Sequence, residues 1–108
     1  MNDICQVPRE LTSQQNKYLR GLAHQLKPLV FVGKNGLTDE VLASVNAALE
    51  KHELIKIKFI EHKDRDDKKR IVARICRHTR CYSAGTIGHM AILYRQARKV
   101  SQRKIKLP

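Results

Sequence analysis

A glycine-bounded tetrad, Gly33-Lys34-Asn35-Gly36, combines residue types that suit the binding of an anion. Glycine lacks the Cβ atom that would hold a ligand away from the backbone, and it accepts the positive φ values of tight turns. Lys34 adds a point charge, and Asn35 tolerates left-handed geometry and can donate to an oxygen. The tetrad therefore predicts a loop for phosphate oxygens, although an ordinary strand-to-helix turn uses the same residues.

The elements on either side of the tetrad would form the niche. An apolar run, 29–32, predicts a strand before it, and Thr38 is a candidate helix cap after it. Unpaired N–H groups at a helix start favour an anion. A nucleotide-binding P-loop is excluded, because Ser or Thr would have to follow Lys34.

A second tetrad, Gly85-Thr86-Ile87-Gly88, has the same glycine spacing but no charge. It lies between two strand-like runs. We interpret it as a hairpin turn or a point of close strand packing.

The charge balance indicates the partner. The chain has 108 residues, with 22 Lys and Arg against 10 acids and a formal charge of +12. Such a surface attracts polyanions, nucleic acid first. A membrane is less favoured, because no apolar run approaches the roughly eighteen residues of a spanning helix. The first ten residues lack the pattern of a secretory signal, so we expect a cytoplasmic protein with one ordinary domain.

Two clusters might suggest chemistry of another kind. Cys76 and Cys81 flank His78, but a closed zinc site needs four ligands, and with Cys5 the cysteines form an odd set, so we favour reduced core thiols. An acidic cluster has no nucleophile or ligand set beside it and is more typical of a helix cap. Its members are Glu61, Asp64, Asp66 and Asp67. We therefore expect no catalytic residue, no metal, no cofactor and no small-molecule substrate.

Helix one is predicted from a capping box, Thr12 with Gln15, through to the break at Pro28. Its core stripe is predicted to be Leu19, Leu22, Ala23 and Leu26. Its opposite side is predicted to present a basic face to solvent, formed by Lys17, Arg20, His24 and Lys27.

The rest of the chain alternates strands and helices. A second helix follows Thr38, a strand covers 54–60, and a third helix follows the acidic cluster. Two strands are predicted at 81–87 and 90–94, and the remainder is basic with little periodicity. The order α-β-α-β-α-β-β predicts an α/β (α+β) domain with a four-stranded mixed sheet packed with three helices.

Five separated motifs, in order, resemble the CRM domain, named for chloroplast RNA splicing and ribosome maturation. They are Leu19 to His24, Leu26 to Pro28, Gly33 to Thr38, His52 to Lys58, and Ile87-Gly88 leading into Leu93 to Arg95. The similarity is strongest to the bacterial single-domain YhbY proteins. It divides the chain into an N-terminal extension (1–10), a CRM domain (11–95) and a basic C-terminal tail (96–108).

The resemblance implies an RNA-binding module whose fold is similar to the C-terminal domain of translation initiation factor three. It also implies association with precursors of the large ribosomal subunit, with the loop facing RNA. The RNA-binding residues expected on this basis are Gly33, Lys34, Asn35, Gly36, Lys17, Arg20, His24, Lys27 and Arg95. Tyr18 and Tyr94 are candidates either for base stacking or for packing.

Three other functions stay open at this point. The chain could be a constitutive ribosomal protein, an RNA-processing enzyme or a general DNA-binding protein. Presence in mature subunits, substrate turnover, or a preference for duplex DNA would respectively favour each of them.

Overall fold

Three helices and four strands alternate along the chain in the predicted order. The computed structural model describes residues 10–61 and 64–108, so all but the last residue of the predicted N-terminal extension lies outside the described part. The helices are α1 (Ser13–Ala23), α2 (Asp39–His52) and α3 (Arg65–Thr79). The strands are β1 (Val30–Val32), β2 (Leu54–Phe59), β3 (Tyr82–Ile87) and β4 (Met90–Tyr94), and a short 3₁₀ helix covers Val100–Gln102.

The four strands form one mixed sheet in the order β1-β2-β4-β3. Strands β1 and β2 are parallel, because the α2 crossover returns the chain to the same end of the sheet. The pairs β2–β4 and β4–β3 are antiparallel. The predicted fold class is confirmed.

Helices cover both faces of the sheet. On one face, α2 and α3 pack through Val45, Leu49, Val72 and Ile75 against inward side chains of the strands. On the other face, α1 packs through Leu19 and Ala23 in a second, smaller cluster. The strand residues of this second cluster are Leu54, Ala84, Ile92 and Tyr94.

Each helix begins at a polar cap that the sequence predicts. Thr12 and Gln15 form the reciprocal capping box of α1. Thr38 caps α2, and the Asp64 carboxylate accepts from the backbone N–H groups of the first turn of α3. Such caps satisfy N–H groups that have no partner within the helix.

The predicted extent of α1 is wrong at its C-terminal end. The helix stops at Ala23, and a turn closes when Leu26 N–H donates to the Ala23 carbonyl. Pro28 disfavours helical geometry at the residue before it, so the chain leaves the helix early enough to enter β1. Leu22 and Leu26, predicted in the core stripe, are exposed.

The basic C-terminal segment, 96–108, packs on the domain. Ile105 and Leu107 contact the second core cluster. Glu53, between α2 and β2, is only 1% exposed, and its carboxylate accepts hydrogen bonds from three backbone N–H groups of the C-terminal segment. The donors are Ala97 at 2.7 Å, Lys104 at 2.6 Å and Ile105 at 3.2 Å. A buried carboxylate thus ties the segment to the domain.

Candidate nucleic-acid interface

The tetrad forms a tight turn directly after β1. Gly36 N–H donates to the Gly33 carbonyl at 3.0 Å, which leaves Lys34 and Asn35 exposed at the tip. Gly36 has φ of +66°, a value that favours glycine. A Cβ atom added at Gly33 would meet nothing within 4 Å. The backbone of Gly33 is therefore open to the approach of a ligand.

Two further segments meet the loop at the same end of the sheet. The Val32 carbonyl accepts from Ile60 N–H at 2.9 Å, at the point where β2 ends. Phe59 N–H donates to the His89 carbonyl in the β3–β4 turn at 2.8 Å. The Nζ of Lys68, in the first turns of α3, donates to the Gly88 carbonyl at 2.8 Å. This end of the sheet thus combines the glycine loop with a second cationic side chain.

The N-terminus of α2 is less suited to an anion than the sequence suggests. The Thr38 hydroxyl already accepts from Val41 N–H at 3.1 Å, and Asp39 and Glu40 occupy the first turn. Carboxylates at this position offset the positive end of the helix dipole. Anion binding at this loop would therefore depend on the turn and on Lys34.

The basic side of α1 divides into two parts. Lys17 is exposed on α1, and His24 and Lys27 are exposed as predicted but lie beyond the end of the helix at Ala23. Arg20 is half-buried, because its Nη1 donates to the Ala84 carbonyl at 2.8 Å. Its side chain crosses Gly85, where an added Cβ would come within 3.1 Å of the Arg20 Cδ. The prediction that the whole basic side faces solvent is wrong for Arg20, which packs on β3.

Arg95 lies at the other end of the sheet from the loop. Tyr94, its neighbour, pairs with Leu54 at the start of β2, whereas the loop follows the end of β1, level with Phe59. The Arg95 guanidinium donates to the Asn46 side chain at 2.7 Å and to two backbone carbonyls. These are the carbonyls of Thr79 at 2.8 Å and Asn46 at 3.2 Å. The structure therefore does not bring Arg95 together with the tetrad.

Residues 11–95 match the family model of the CRS1/YhbY (CRM) domain. The chain belongs to the CRM family. It is 45% identical to a Haemophilus influenzae protein named RNA-binding protein, over 91% of this chain and 95% of the relative. A probable RNA-binding protein of Bacillus subtilis is 34% identical, over 91% of this chain and 99% of its own length.

A solved structure shows a similar fold. The solution structure of a hypothetical Staphylococcus aureus protein, considered a candidate RNA-binding protein, superposes with a TM-score of 0.78 at 34% sequence identity. The match covers 91% of this chain and 99% of that protein.

The second tetrad of this CRM domain is structural, as predicted. Gly85 lies in β3 beside an irregularity in the pairing with β4, and its φ is +135°. Gly88, with φ of +59°, forms part of the turn between β3 and β4. The two glycines of this tetrad are therefore required by the backbone conformation of the β3–β4 hairpin.

The aromatic residues differ in exposure. Tyr94 is fully buried, with its ring 6.5 Å from that of Tyr82, so it has a packing role. Tyr18 is exposed on α1. Phe31, which was not predicted as a site residue, is 52% exposed in the middle of β1. Its exposure could have been predicted from the alternation of side chains along a strand, because Val30 and Val32 on either side of it point into the core.

Cys76 and Cys81 form a thiol pair at the edge of the core. Their sulfurs are 3.6 Å apart, and Thr79 Oγ1 lies 3.2 Å from the Cys81 sulfur. The hydrogen bond between the two thiols lowers the pKa of Cys81 and raises that of Cys76. In residues 10–61 and 64–108, no three His, Cys, Asp or Glu side chains are grouped so that they could hold a metal ion. No helix of the same ranges is long and apolar enough to cross a membrane.

Proposed function

We propose that this CRM protein binds RNA through its glycine loop, and that its RNA is the precursor of the large ribosomal subunit. The protein would act in the cytoplasm by binding rather than by catalysis. The observation that carries the proposal is the turn itself, with an open backbone at Gly33 and Lys34 at its tip.

Phosphate is the group that suits this loop best. Its oxygens accept from backbone N–H groups and from an ammonium group without any demand on sequence. Exposed Lys27 and His24, which precede β1, and Lys17 farther back on α1 would extend the cationic surface. Arg20 and Arg95, whose guanidinium groups hydrogen-bond within the domain, are assigned to the stability of the fold.

The contribution of the loop can be measured with Lys34→Ala. Each phosphate neutralised on a single strand adds about 0.7 to the slope of log affinity against log salt. We expect Lys34→Ala to weaken binding to a ribosomal RNA fragment and to reduce this slope by about that amount.

Lys51→Ala is the matched control, because it removes the same charge. Lys51 is exposed in the last turn of α2, and twelve residues of helix separate it from the start of α2 near the loop. At about 1.5 Å per residue the separation is roughly 18 Å, beyond the Debye length of physiological salt. Equal effects of the two substitutions would remove the loop from the binding site.

Sedimentation tests the proposed ribosomal partner. A lysate that contains the tagged protein is resolved on a sucrose gradient, and the protein is quantified against ribosomal RNA. Enrichment in precursors of the large subunit is the expected result. Stoichiometric presence in mature subunits would instead favour a constitutive ribosomal protein.

A further inference from the structure

One row of side chains on the α1 face of the sheet remains partly exposed, with Lys58 and Met90 half-buried at its centre. Phe31 pairs with Lys58, Lys58 pairs with Met90, and Met90 pairs with Ile87, so the four side chains cross the sheet on one face. Phe31 is 52% exposed and Ile87 is 54% exposed. We call Phe31, Lys58, Met90 and Ile87 the open row.

The open row is exposed because α1 covers a different part of this face. Leu19 and Ala23 pack with Leu54, Ile92 and Tyr94, which occupy the next two levels of the sheet. The helix ends at Ala23, and the chain then turns toward β1. Phe31 therefore keeps half of its surface exposed on a strand that is otherwise buried.

An exposed phenyl ring on a flat strand surface suits a planar partner. Phe31 and Gly33 are two residues apart, so the ring and the open loop backbone lie close together at one end of the sheet. Lys58 is the direct partner of Phe31 on the neighbouring strand, so a cationic side chain leaves the same face of the sheet next to the ring. A nucleotide of single-stranded RNA presents both groups that this arrangement would contact, a π-face and a phosphate.

We propose that Phe31 stacks on an unpaired RNA base, while Lys58 and the glycine loop hold phosphates on either side of it. This site rests on the proposed RNA binding of the loop and extends it to a preference for unpaired nucleotides. Base-to-ring stacking is tolerant of sequence, so the platform accepts any base. A duplex would not use it, because its bases are stacked on one another.

The test compares two probes, a 12-nucleotide single-stranded RNA and the same RNA annealed to its complement. Phe31→Leu keeps an apolar side chain but removes the π-face. Replacing a stacking aromatic residue by alanine typically costs about 1–3 kcal/mol per base, and about 1.4 kcal/mol corresponds to a tenfold change in affinity. We expect Phe31→Leu to weaken single-strand binding about tenfold, with an unchanged salt slope and unchanged duplex binding, and Phe31→Tyr to retain the wild-type affinity.

Ile87→Ala is the control, because Ile87 is an equally exposed apolar residue of the same row. It should leave single-strand binding unchanged. Thermal unfolding of each variant confirms that the domain is intact, and Phe31→Tyr reports on the ring if Phe31→Leu is unstable.

Two results would overturn the stacking platform. One is an unchanged single-strand affinity in Phe31→Leu while Lys34→Ala still weakens binding; this outcome leaves the loop proposal standing. The other is an equal loss of single-strand affinity in Phe31→Leu and Ile87→Ala, which would show that the row contributes apolar surface rather than a stacking ring. Failure of the wild-type protein to bind either probe would instead contradict the proposed RNA binding itself.

Discussion

Gly33 and Gly36 begin and end the same turn but differ in what their missing side chains allow. Gly36 is buried and has a positive φ, so a side chain there strains the backbone. Gly33 has open space where a Cβ would lie. Gly33 therefore has room for a ligand beside its backbone, whereas Gly36 is required by the conformation of the turn.

Substitution by alanine should separate these two roles. Gly36→Ala should lower the free energy of unfolding by about 1 kcal/mol or more through strain. Gly33→Ala should leave stability within about 0.5 kcal/mol of wild type but weaken RNA binding, because its methyl group occupies the approach of the phosphate. Chemical denaturation and RNA titration of both variants check this. If Gly33→Ala binds RNA with the wild-type affinity, the turn has a structural role and Gly33 does not contact the phosphate.

Residue roles could be predicted from the sequence where the interacting residues are close together along the chain. In the cap of α1, Thr12 and Gln15 are three residues apart. In the cap of α3, Asp64 accepts from an N–H group three residues later. The role of Arg20 could not be predicted in this way, because its acceptor on Ala84 is 64 residues away. Helical periodicity placed Arg20 on the basic side of α1, but the glycine that lets it lie on β3 becomes apparent only once the sheet forms.

At the scale of elements, Glu53 joins α2, β2 and the C-terminal segment. It has φ of +63° and is almost fully buried, so it carries both backbone strain and a desolvated carboxylate. Three N–H donors from the C-terminal segment compensate the charge. This role of Glu53 could not be predicted from the sequence, because its hydrogen-bond donors lie 44 to 52 residues away along the chain.

Removal of this carboxylate should release the C-terminal segment. Glu53→Ala leaves three part-buried N–H groups without their acceptor, at a cost of about 1–3 kcal/mol for each group that water does not reach. Glu53→Gly loses the same hydrogen bonds but relieves the positive φ, so it should be about 1 kcal/mol more stable than Glu53→Ala. Hydrogen exchange at Ala97 and Lys104 should become faster in both variants. Unchanged exchange would show that Ile105 and Leu107 hold the segment without Glu53.

The larger elements could be predicted because their patterns are long. Both α2 and α3 present apolar residues at helical spacing, and β2 alternates between buried and half-buried positions. The predicted end of α1 was wrong, because the spacing of apolar residues does not reveal the turn that leads into β1. The open row could not be predicted, since the sequence does not show how far α1 extends across the sheet.

At the scale of the whole molecule, a net charge of +12 attracts RNA at long range but does not by itself specify a face. Charge alone therefore does not locate the binding surface. The loop, Lys68 at the β3–β4 turn, and Phe31 with Lys58 meet at one end of the sheet, whereas Arg95 and Glu53 lie at the other. We expect RNA to contact the first end.

Photochemical crosslinking followed by mass spectrometry tests this expectation most directly. The intact protein is irradiated with the 12-nucleotide single-stranded RNA at physiological salt, and crosslinked peptides are mapped along the chain. We predict crosslinks concentrated in the peptide that contains Phe31 and Lys34, and their loss in Phe31→Leu. Crosslinks confined to α2, to α3 or to the segment 96–108, with none at residues 29–36, would contradict the proposed interface.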